Sequence, residues 1–378
     1  MKNTIQFKLK TAILVLLAVL SLQAKAQQWT PKQANDWYKS QPWLVGSNFM
    51  PATAINQLEM WQAESFDPKT IDKELGYAEK LGMNTMRVFL HDMVWRQDAK
   101  GFKNRIDQFL ALCAKHKIKP MLVLFDSCWD PLPKLGKQHA PVMGRHNSGW
   151  VQGPGAAILS DKSKWEGLRN YVKDIVGSFR ADKRILAWDI VNEPDNDNAN
   201  SYGRNGKIKT ELPNKAQLGT ELVKAGFGWA REAKPTQPIT SAPWKGDWSS
   251  LEKMDDMNRF LVQNSDVITF HNYGKPEDFK KRVADLQKFG RPLICTEYMA
   301  RPAGSTFEGS LPIAKAENVG MMNWGFVSGK SNTIYPWDSW QKQYTAEPPV
   351  WFHDIFRENG QPYIPAETAF IKKMTGKK

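Results

Sequence analysis

The sequence predicts an α/β fold: a (β/α)8 TIM barrel, formed by a single domain with long loops at its C-terminal face. Three features support this: eight short apolar segments bounded by turn residues, helical periodicity between them, and connections of very unequal length. The apolar segments are continuous rather than alternating, as in parallel strands covered by helices. These predicted strands span 43–49, 84–90, 120–125, 185–191, 238–242, 267–271, 292–296 and 321–326.

Segments with helical periodicity separate the predicted strands and follow the last one. They span 69–81, 104–116, 163–179, 215–233, 251–263, 276–289, 311–317 and 366–374. Strand and helix alternating eight times is typical of this barrel, which needs about 250 residues plus insertions. An open doubly wound sheet is the alternative, but the chain has neither of the Gly-rich phosphate-binding motifs that would mark one.

Three of the connections that follow strands are long, at 126–165, 194–213 and 327–350. In a barrel, these loops would share the C-terminal face, where active sites lie. Loops of this length are usually functional or disordered, and the first and last are rich in tryptophan. Their tryptophans include Trp129, Trp150, Trp337 and Trp340.

Residues 1–26 have the pattern of a secretory signal peptide. Three lysines precede the apolar run Ala12 to Leu20, and Ala24-Lys25-Ala26 forms a small-x-small cleavage site. The run is shorter than the roughly 20 apolar residues that a membrane anchor needs. We therefore expect a mature catalytic domain of residues 27–378, secreted to the periplasm or the exterior and without a membrane partner.

The composition favours a globular domain with an extensive core and a basic surface over a nucleic-acid binder. Hydrophobic residues make up 41% of the 378, and the chain has 16 tryptophans. The net charge of +13 is scattered along the sequence, with no long basic run, so we expect no nucleic-acid partner. Three cysteines, Cys113, Cys128 and Cys295, do not have the spacing of a disulfide framework or a structural zinc site. We expect a monomer.

Two glutamates end predicted strands. Glu193 follows the fourth strand in the sequence Asn192-Glu193-Pro194, and Glu297 follows the seventh. On a closed barrel both would face one mouth. Two such carboxylates can hydrolyse a glycosidic bond, because one protonates the departing oxygen while the other attacks the sugar or activates water. A separation of about 5–5.5 Å suits retention and about 6.5–9.5 Å suits inversion; the sequence leaves both open.

Further motifs lie at the ends of other predicted strands, and the whole set resembles the clan A retaining glycosidases. Within that clan the chain is most similar to glycoside hydrolase family 5, the cellulase and mannanase family. The resemblance covers almost the whole mature chain in strand order. The motifs are Arg87 on the second strand, Asn192-Glu193-Pro194 after the fourth, His271-Asn272-Tyr273 after the sixth, Glu297 after the seventh and Trp324 on the eighth.

The resemblance implies a retaining double displacement on a β-linked oligo- or polysaccharide, without a cofactor. Glu297 would be the nucleophile and Glu193 the general acid/base. Asn192 would bind the sugar 2-hydroxyl, and His271 would lie near Glu193 and tune its protonation. Neither the glycan nor the choice between endo and exo action follows from the sequence.

The resemblance also places three residues around the nucleophile. Arg87 and Tyr273 would lie beside Glu297, where a cation favours the ionised carboxylate. Trp324 would form the platform under the sugar. A structural ion pair of Arg87 with Asp126 is the alternative for Arg87, and a core position is the alternative for His271.

The chain departs from family 5 at the end of the third strand. Members often carry a histidine there, whereas this chain has Asp126. We expect His91, after the second strand, to occupy related space, and both residues to contact substrate. Five tryptophans follow predicted strands: Trp129, Trp150, Trp244, Trp248 and Trp337. Stacking on a sugar and packing within the loop are about equally favoured for each of them. We assign Trp129, Trp244 and Trp337 to the substrate site.

Two other classes of function stay open. A noncatalytic glycan-binding barrel would use the tryptophans and dispense with the glutamates. A metal-dependent hydrolase could use a cluster of His91, Asp92, Asp126 and His271. No H-x-H or H-E-x-x-H spacing supports a metal site, so we expect no metal.

Overall fold

The computed structural model describes residues 28–196, 198, 211–342 and 344–377. The predicted signal peptide, and most of the predicted loop at 194–213, lie outside the described residues. Among the described residues, no helix is both long and apolar enough to cross a membrane.

Eight parallel strands form one sheet, in the order β5-β4-β3-β2-β1-β8-β7-β6. The predicted barrel is confirmed, and each strand overlaps the predicted segment. The strands are β1 (Val45–Asn48), β2 (Thr85–Phe89), β3 (Lys119–Asp126), β4 (Ala187–Asn192), β5 (Ile239–Thr240), β6 (Ile268–His271), β7 (Leu293–Glu297) and β8 (Gly320–Asn323).

The barrel is nearly closed between β5 and β6. The Thr240 hydroxyl donates to the Val267 carbonyl at 2.8 Å and lies 2.8 Å from the Thr269 hydroxyl. The Asp266 amide donates to the Ile239 carbonyl at 2.8 Å. These contacts bring the C-terminal ends of all eight strands around one mouth.

Helices surround the barrel, and all eight predicted helices are present. They are α3 (Pro68–Lys80), α5 (Ala99–Lys115), α7 (Trp165–Ser178), α8 (Lys215–Glu232), α9 (Asp256–Asn264), α10 (Pro276–Gln287), α11 (Phe307–Ala316) and α12 (Pro365–Thr375). Three starts differ from the prediction by four or five residues because N-capping side chains fix them. The Thr306 hydroxyl accepts from the Gly309 amide, so α11 begins earlier. Asp98 accepts from the Gly101 amide, so α5 begins earlier, and Asp255 accepts from the Asn258 amide, so α9 begins later.

Four helices were not predicted: α1 (Pro31–Lys39), α2 (Gln57–Trp61), α4 (Asp92–Gln97) and α6 (Ala156–Leu159). The last three have four to six residues, too few to show a helical period. Helix α1 begins with a capping box between Thr30 and Gln33. Its Tyr38 packs with the apolar residues at the base of the barrel, so the helix covers the end opposite the mouth.

Candidate active site

The two glutamates lie at the mouth of the barrel. Glu297 is the last residue of β7, and Glu193 directly follows β4. Glu193 has a φ of 44°, a left-handed conformation that costs about 1–3 kcal/mol in a residue with a side chain. The Asn196 amide donates to the Glu193 carbonyl at 2.9 Å, which closes a tight turn after the strand. The strained turn is of the kind that concentrates at functional sites.

The two carboxylates are close together. An oxygen of Glu193, an oxygen of Glu297 and a ring nitrogen of His271 all lie within 4.8 Å of one another. The side chains of both glutamates are nearly buried, with 7% of Glu193 and 5% of Glu297 exposed. The distance suits the spacing for direct attack on the sugar better than the wider spacing that leaves room for a water.

Glu297 is held by a cation and a phenol. Arg87 Nη1 donates to Oε1 at 2.9 Å, and the Tyr273 hydroxyl donates to Oε2 at 2.8 Å. Burial raises the pKa of Glu297, and the Arg87 guanidinium acts in the opposite direction. These donors stabilise the ionised form that a nucleophile needs.

Glu193 has neutral partners. Its Oε1 lies 2.9 Å from His271 Nδ1, and its Oε2 accepts from Asn196 Nδ2 at 2.6 Å and from the Cys128 thiol at 3.2 Å. Burial raises the pKa of Glu193 and lowers that of His271 to about 4, so the imidazole is neutral near pH 7. Without a cation in direct contact, Glu193 keeps a proton more readily than Glu297 does.

Arg87 connects the two strand ends from inside the barrel. The fully buried guanidinium donates to Asp189 Oδ2 at 2.9 Å, to Asn48 Oδ1 at 3.0 Å and to Asn192 Oδ1 at 2.8 Å, besides Glu297. The predicted position beside Glu297 is therefore observed. Its ion pairs are with Asp189 and Glu297, not with Asp126 as the alternative had it.

Asp126 does not face the cleft, contrary to the prediction that it contacts substrate. Its carboxylate is buried and accepts from the Cys128 amide, Asn192 Nδ2, Gln57 Nε2 and Trp150 Nε1, at 2.6 to 3.0 Å. Four donors saturate the two oxygens. Asp126 therefore positions Asn192 and Trp150, which do line the cleft.

His91 also lies away from the cleft, and its predicted contact with substrate is wrong. Its side chain is fully buried at the start of α4. Nδ1 accepts from the Met93 amide at 3.1 Å, so Nε2 is the protonated nitrogen and donates to the Gln152 carbonyl at 3.0 Å. Both ring nitrogens are used within the fold.

The metal cluster considered from the sequence does not form among the described residues. The group with suitable donor atoms is instead Glu193, His271 and Glu297. Arg87 and Tyr273 already donate to both oxygens of Glu297, and a guanidinium at 2.9 Å opposes a second cation there. The charges in the site therefore favour acid/base and nucleophilic chemistry.

A cleft of about 150 Å3 lies over the carboxylates. The predicted residues Trp129, Asn192, Trp244, Tyr273 and Trp337 line it, together with Trp324, which lies one residue after β8 rather than on it. Trp248 is buried in its loop and donates to the Lys245 carbonyl, so of the two alternatives for this residue, sugar stacking and loop packing, the structure shows loop packing. Further lining residues were not assigned to the site from the sequence: Cys128, His146, Asn147, Trp150 and Asn196.

Comparison with known proteins identifies glycoside hydrolases. The sequence profile of glycosyl hydrolase family 10 matches residues 135–281, less than half of the chain. A beta-1,4-xylanase from Dictyoglomus thermophilum is 31% identical over 98 residues, which are 26% of this chain. The matched part is 24% of the xylanase, about a quarter of its length.

Solved structures match over most of the chain. The endo-1,4-beta-D-mannanase from Thermotoga petrophila has a TM-score of 0.54 at 14% identity, over 88% of this chain and 99% of the mannanase. The endo-1,4-beta-mannanase from Rhizomucor miehei gives 0.55 at 14% identity, over 90% and 96%. A GH5_18 protein from Streptomyces cattleya in complex with GlcNAc gives 0.55 at 12% identity, over 88% and 79%.

At 12–14% identity the structural matches establish the fold. The two sequence matches, to the family 10 profile and to the xylanase, are also to glycoside hydrolases. The resemblance carried by the motifs is thereby confirmed. This chain has the (β/α)8 barrel of the clan A glycoside hydrolases, with a fold like that of family 5.

Proposed function

We propose that the protein is a secreted, retaining glycoside hydrolase that cleaves a β-linked glycan through a glycosyl-enzyme intermediate. The observation that carries the proposal is the close pair of carboxylates, within 4.8 Å of one another under a tryptophan-lined cleft. The signal-peptide pattern of residues 1–26 supports secretion.

The two glutamates take different roles because Glu297 contacts a cation and Glu193 contacts neutral groups. Glu297, paired with the Arg87 guanidinium, attacks the anomeric carbon, and the bond from that carbon to the leaving oxygen breaks. Glu193 gives its proton to that oxygen. In the second half, Glu193 takes a proton from water, whose oxygen attacks the same carbon and displaces Glu297.

The surrounding groups support each half of this cycle. Asn192 is fixed by Arg87 and Asp126, which leaves its amide at the edge of the cleft for the sugar 2-hydroxyl. The indole faces in the cleft suit the apolar faces of sugar rings. Xylan, mannan and β-glucan are the substrate classes to test first, because the relatives are a xylanase and mannanases.

The test is product release from xylan, mannan and β-glucan oligosaccharides, with the anomeric configuration followed by NMR. We expect the β-anomer first, and a loss of about 10²–10⁴-fold or more in turnover for both Glu193→Gln and Glu297→Gln. Glu166→Gln, on the exposed surface of α7, is the matched control and keeps wild-type turnover.

Inversion of configuration, or normal turnover by Glu297→Gln, would refute the proposal. Glycan binding without cleavage, unchanged in both Gln variants, would instead favour a noncatalytic binding barrel. For secretion, the N-terminus of the exported protein is sequenced, and we expect it to begin at Gln27.

A further inference from the structure

One half of the mouth is closed by loops that bond to one another. The loops after β1, β3 and β8 are joined pairwise, and we call them together the three-loop wall (residues 49–67, 127–164 and 324–364). Asn56 Nδ2 donates to the Gly149 carbonyl at 2.8 Å, and the Lys330 amide donates to the Ala52 carbonyl at 3.0 Å. The Gln62 side chain forms hydrogen bonds with the Gly136 amide and carbonyl.

The loops after β3 and β8 make the densest contact in this wall. The His146 amide donates to Ser339 Oγ at 3.0 Å, and His146 Nδ1 lies 2.9 Å from the Tyr335 carbonyl. The Asn147 amide donates to the Ser331 carbonyl at 3.0 Å. Trp340 Nε1 donates to the His146 carbonyl at 2.9 Å. His146 and Asn147 are buried in this contact, and both also line the cleft. The contact between the two loops therefore forms one end of the cleft.

Behind this end there is no room for a second sugar. Trp150 and Trp324 pack edge to face with ring centres 5.5 Å apart, and Phe89 packs against both. The cavity on their far side has a volume of about 20 Å3, which holds a water molecule or two rather than a pyranose ring.

Among the described residues, the mouth is open on the side of the loops that follow β5 and β6. A groove of about 520 Å3 continues from the cleft past Trp244, Tyr273 and Trp337, which line both spaces. It runs along the loops that follow β5 and β6, and polar side chains such as Asp278 and Arg282 line its outer part. Among the described residues, which leave out most of the loop after β4, this is the direction in which a chain of sugars can extend.

The chemistry fixes which end of the glycan faces the wall. With the roles that the resemblance gives Asn192 and Trp324, the sugar that Glu297 attacks would lie between these three residues, which line the cleft together with His146 and Asn147 of the wall. The leaving group receives its proton from Glu193, and His271, which contacts Glu193, lines the open groove. The departing part of the glycan therefore lies in the groove, and the attacked sugar has no neighbour on its non-reducing side.

We propose that the protein is exo-acting: it removes one sugar at a time from the non-reducing end of a β-linked glycan and holds the remainder in the groove. This inference rests on the proposed function. The sequence left endo and exo action open, and the solved endo-mannanases share only the barrel with this chain at 14% identity.

The test uses tetra- to hexasaccharides of the class that the enzyme cleaves, labelled with a fluorophore at the reducing end and separated by chromatography at early time points. Exo action gives a labelled ladder that loses one unit at a time, together with free monosaccharide. A second set is blocked on the non-reducing terminal sugar, by a 4,6-acetal on hexose oligosaccharides or a 4-O-benzyl ether on xylose oligosaccharides, and we expect its cleavage to fall at least 100-fold.

Labelled mid-chain fragments at the earliest times, or equal cleavage of the blocked set, would overturn exo action while leaving the glycosidase proposal intact. Absence of cleavage of every unblocked oligosaccharide would overturn both proposals. Glu297→Gln runs in parallel as the control that measures cleavage independent of the proposed nucleophile.

Discussion

At the scale of single residues, Arg87 combines a permanent positive charge with a fully buried position. It is fully buried, yet its charge is matched by Asp189 and Glu297, and its planar group reaches both of them and two asparagines. Burial raises the pKa of Asp189 to about 6 even though Arg87 acts in the opposite direction. The cation thus stabilises both the fold and Glu297, the proposed nucleophile.

Replacing Arg87 tests this double role. Arg87→Lys keeps the charge but cannot reach Asp189, Asn192 and Glu297 at once, because the ammonium lacks the guanidinium fork. We expect a loss of about 3–5 kcal/mol in the free energy of unfolding for Arg87→Ala and a smaller loss for the lysine variant. Chemical denaturation measures both, and wild-type stability in the alanine variant would contradict the role.

The pair Asn196 and Cys128 acts on the other carboxylate. Both donate to Glu193 Oε2, which favours its ionised form and lowers its pKa against the rise caused by burial. Burial also raises the pKa of the Cys128 thiol well above its ordinary range, so it stays protonated and remains a donor.

Removing the Asn196 donor therefore changes the pH profile. In Asn196→Ala we expect the pKa of Glu193 to rise, so the basic limb of kcat/KM moves up by about half to one pH unit, the equivalent of about 1 kcal/mol. Asn35→Ala, on the far side of the barrel, should leave the limb in place. An unmoved or lowered limb in Asn196→Ala would show that the amide does not set this pKa.

At the scale of elements, α3 carries an acid against the loop after β1. Glu74 is fully buried on α3 and accepts from the Ala52 amide at 3.1 Å. Burial raises the pKa of Glu74 to about 8 from its ordinary 4.5. The folded state therefore binds a proton that the unfolded state releases above pH 4.5.

This shift makes the stability depend on pH in a defined direction. The folded form binds more protons than the unfolded form between about pH 4.5 and 8, so Glu74 lowers the free energy of unfolding as pH rises through that window. We expect Glu74→Gln to be stabilised relative to wild type at pH 8, by up to about 1.4 kcal/mol for each unit of the shift. The advantage should shrink toward pH 4.5.

Thermal unfolding of both proteins from pH 4.5 to 8 measures this difference. A constant difference in stability across that range would show that Glu74 is not the group responsible. Glu277→Gln, on the exposed start of α10, is the control for a lost carboxylate.

The elements also show which parts of the fold can be predicted from the sequence. The long helices were predictable because one buried face sets their periodicity, and the strands were predictable because burial on both faces gives a continuous apolar run. The capping box at Thr30 and Gln33 was a visible signal for α1. No comparable signal marks the backbone contacts between loops, such as Asn147 with Ser331.

At the scale of the whole molecule, strand order alone brought Glu193, Glu297, His271 and Tyr273 together, since every strand ends at the same mouth. That is why these positions were predictable. His91 follows β2 and Asp126 ends β3, but the His91 ring accepts from the Met93 amide and the Asp126 carboxylate accepts from Trp150 Nε1, so neither side chain faces the cleft. His146 and Trp150 reach the site only through a long loop, whose path depends on contacts distant in sequence.

The three-loop wall has a consequence for attempts to redesign this enzyme. Its loops come from separate parts of the chain but share hydrogen bonds such as those of Asn56 and His146. Residues in one such network give non-additive effects when they are changed singly. A foreign loop introduced alone would break the hydrogen bonds that each of the other two loops makes to it, so a redesign should exchange all three loops together.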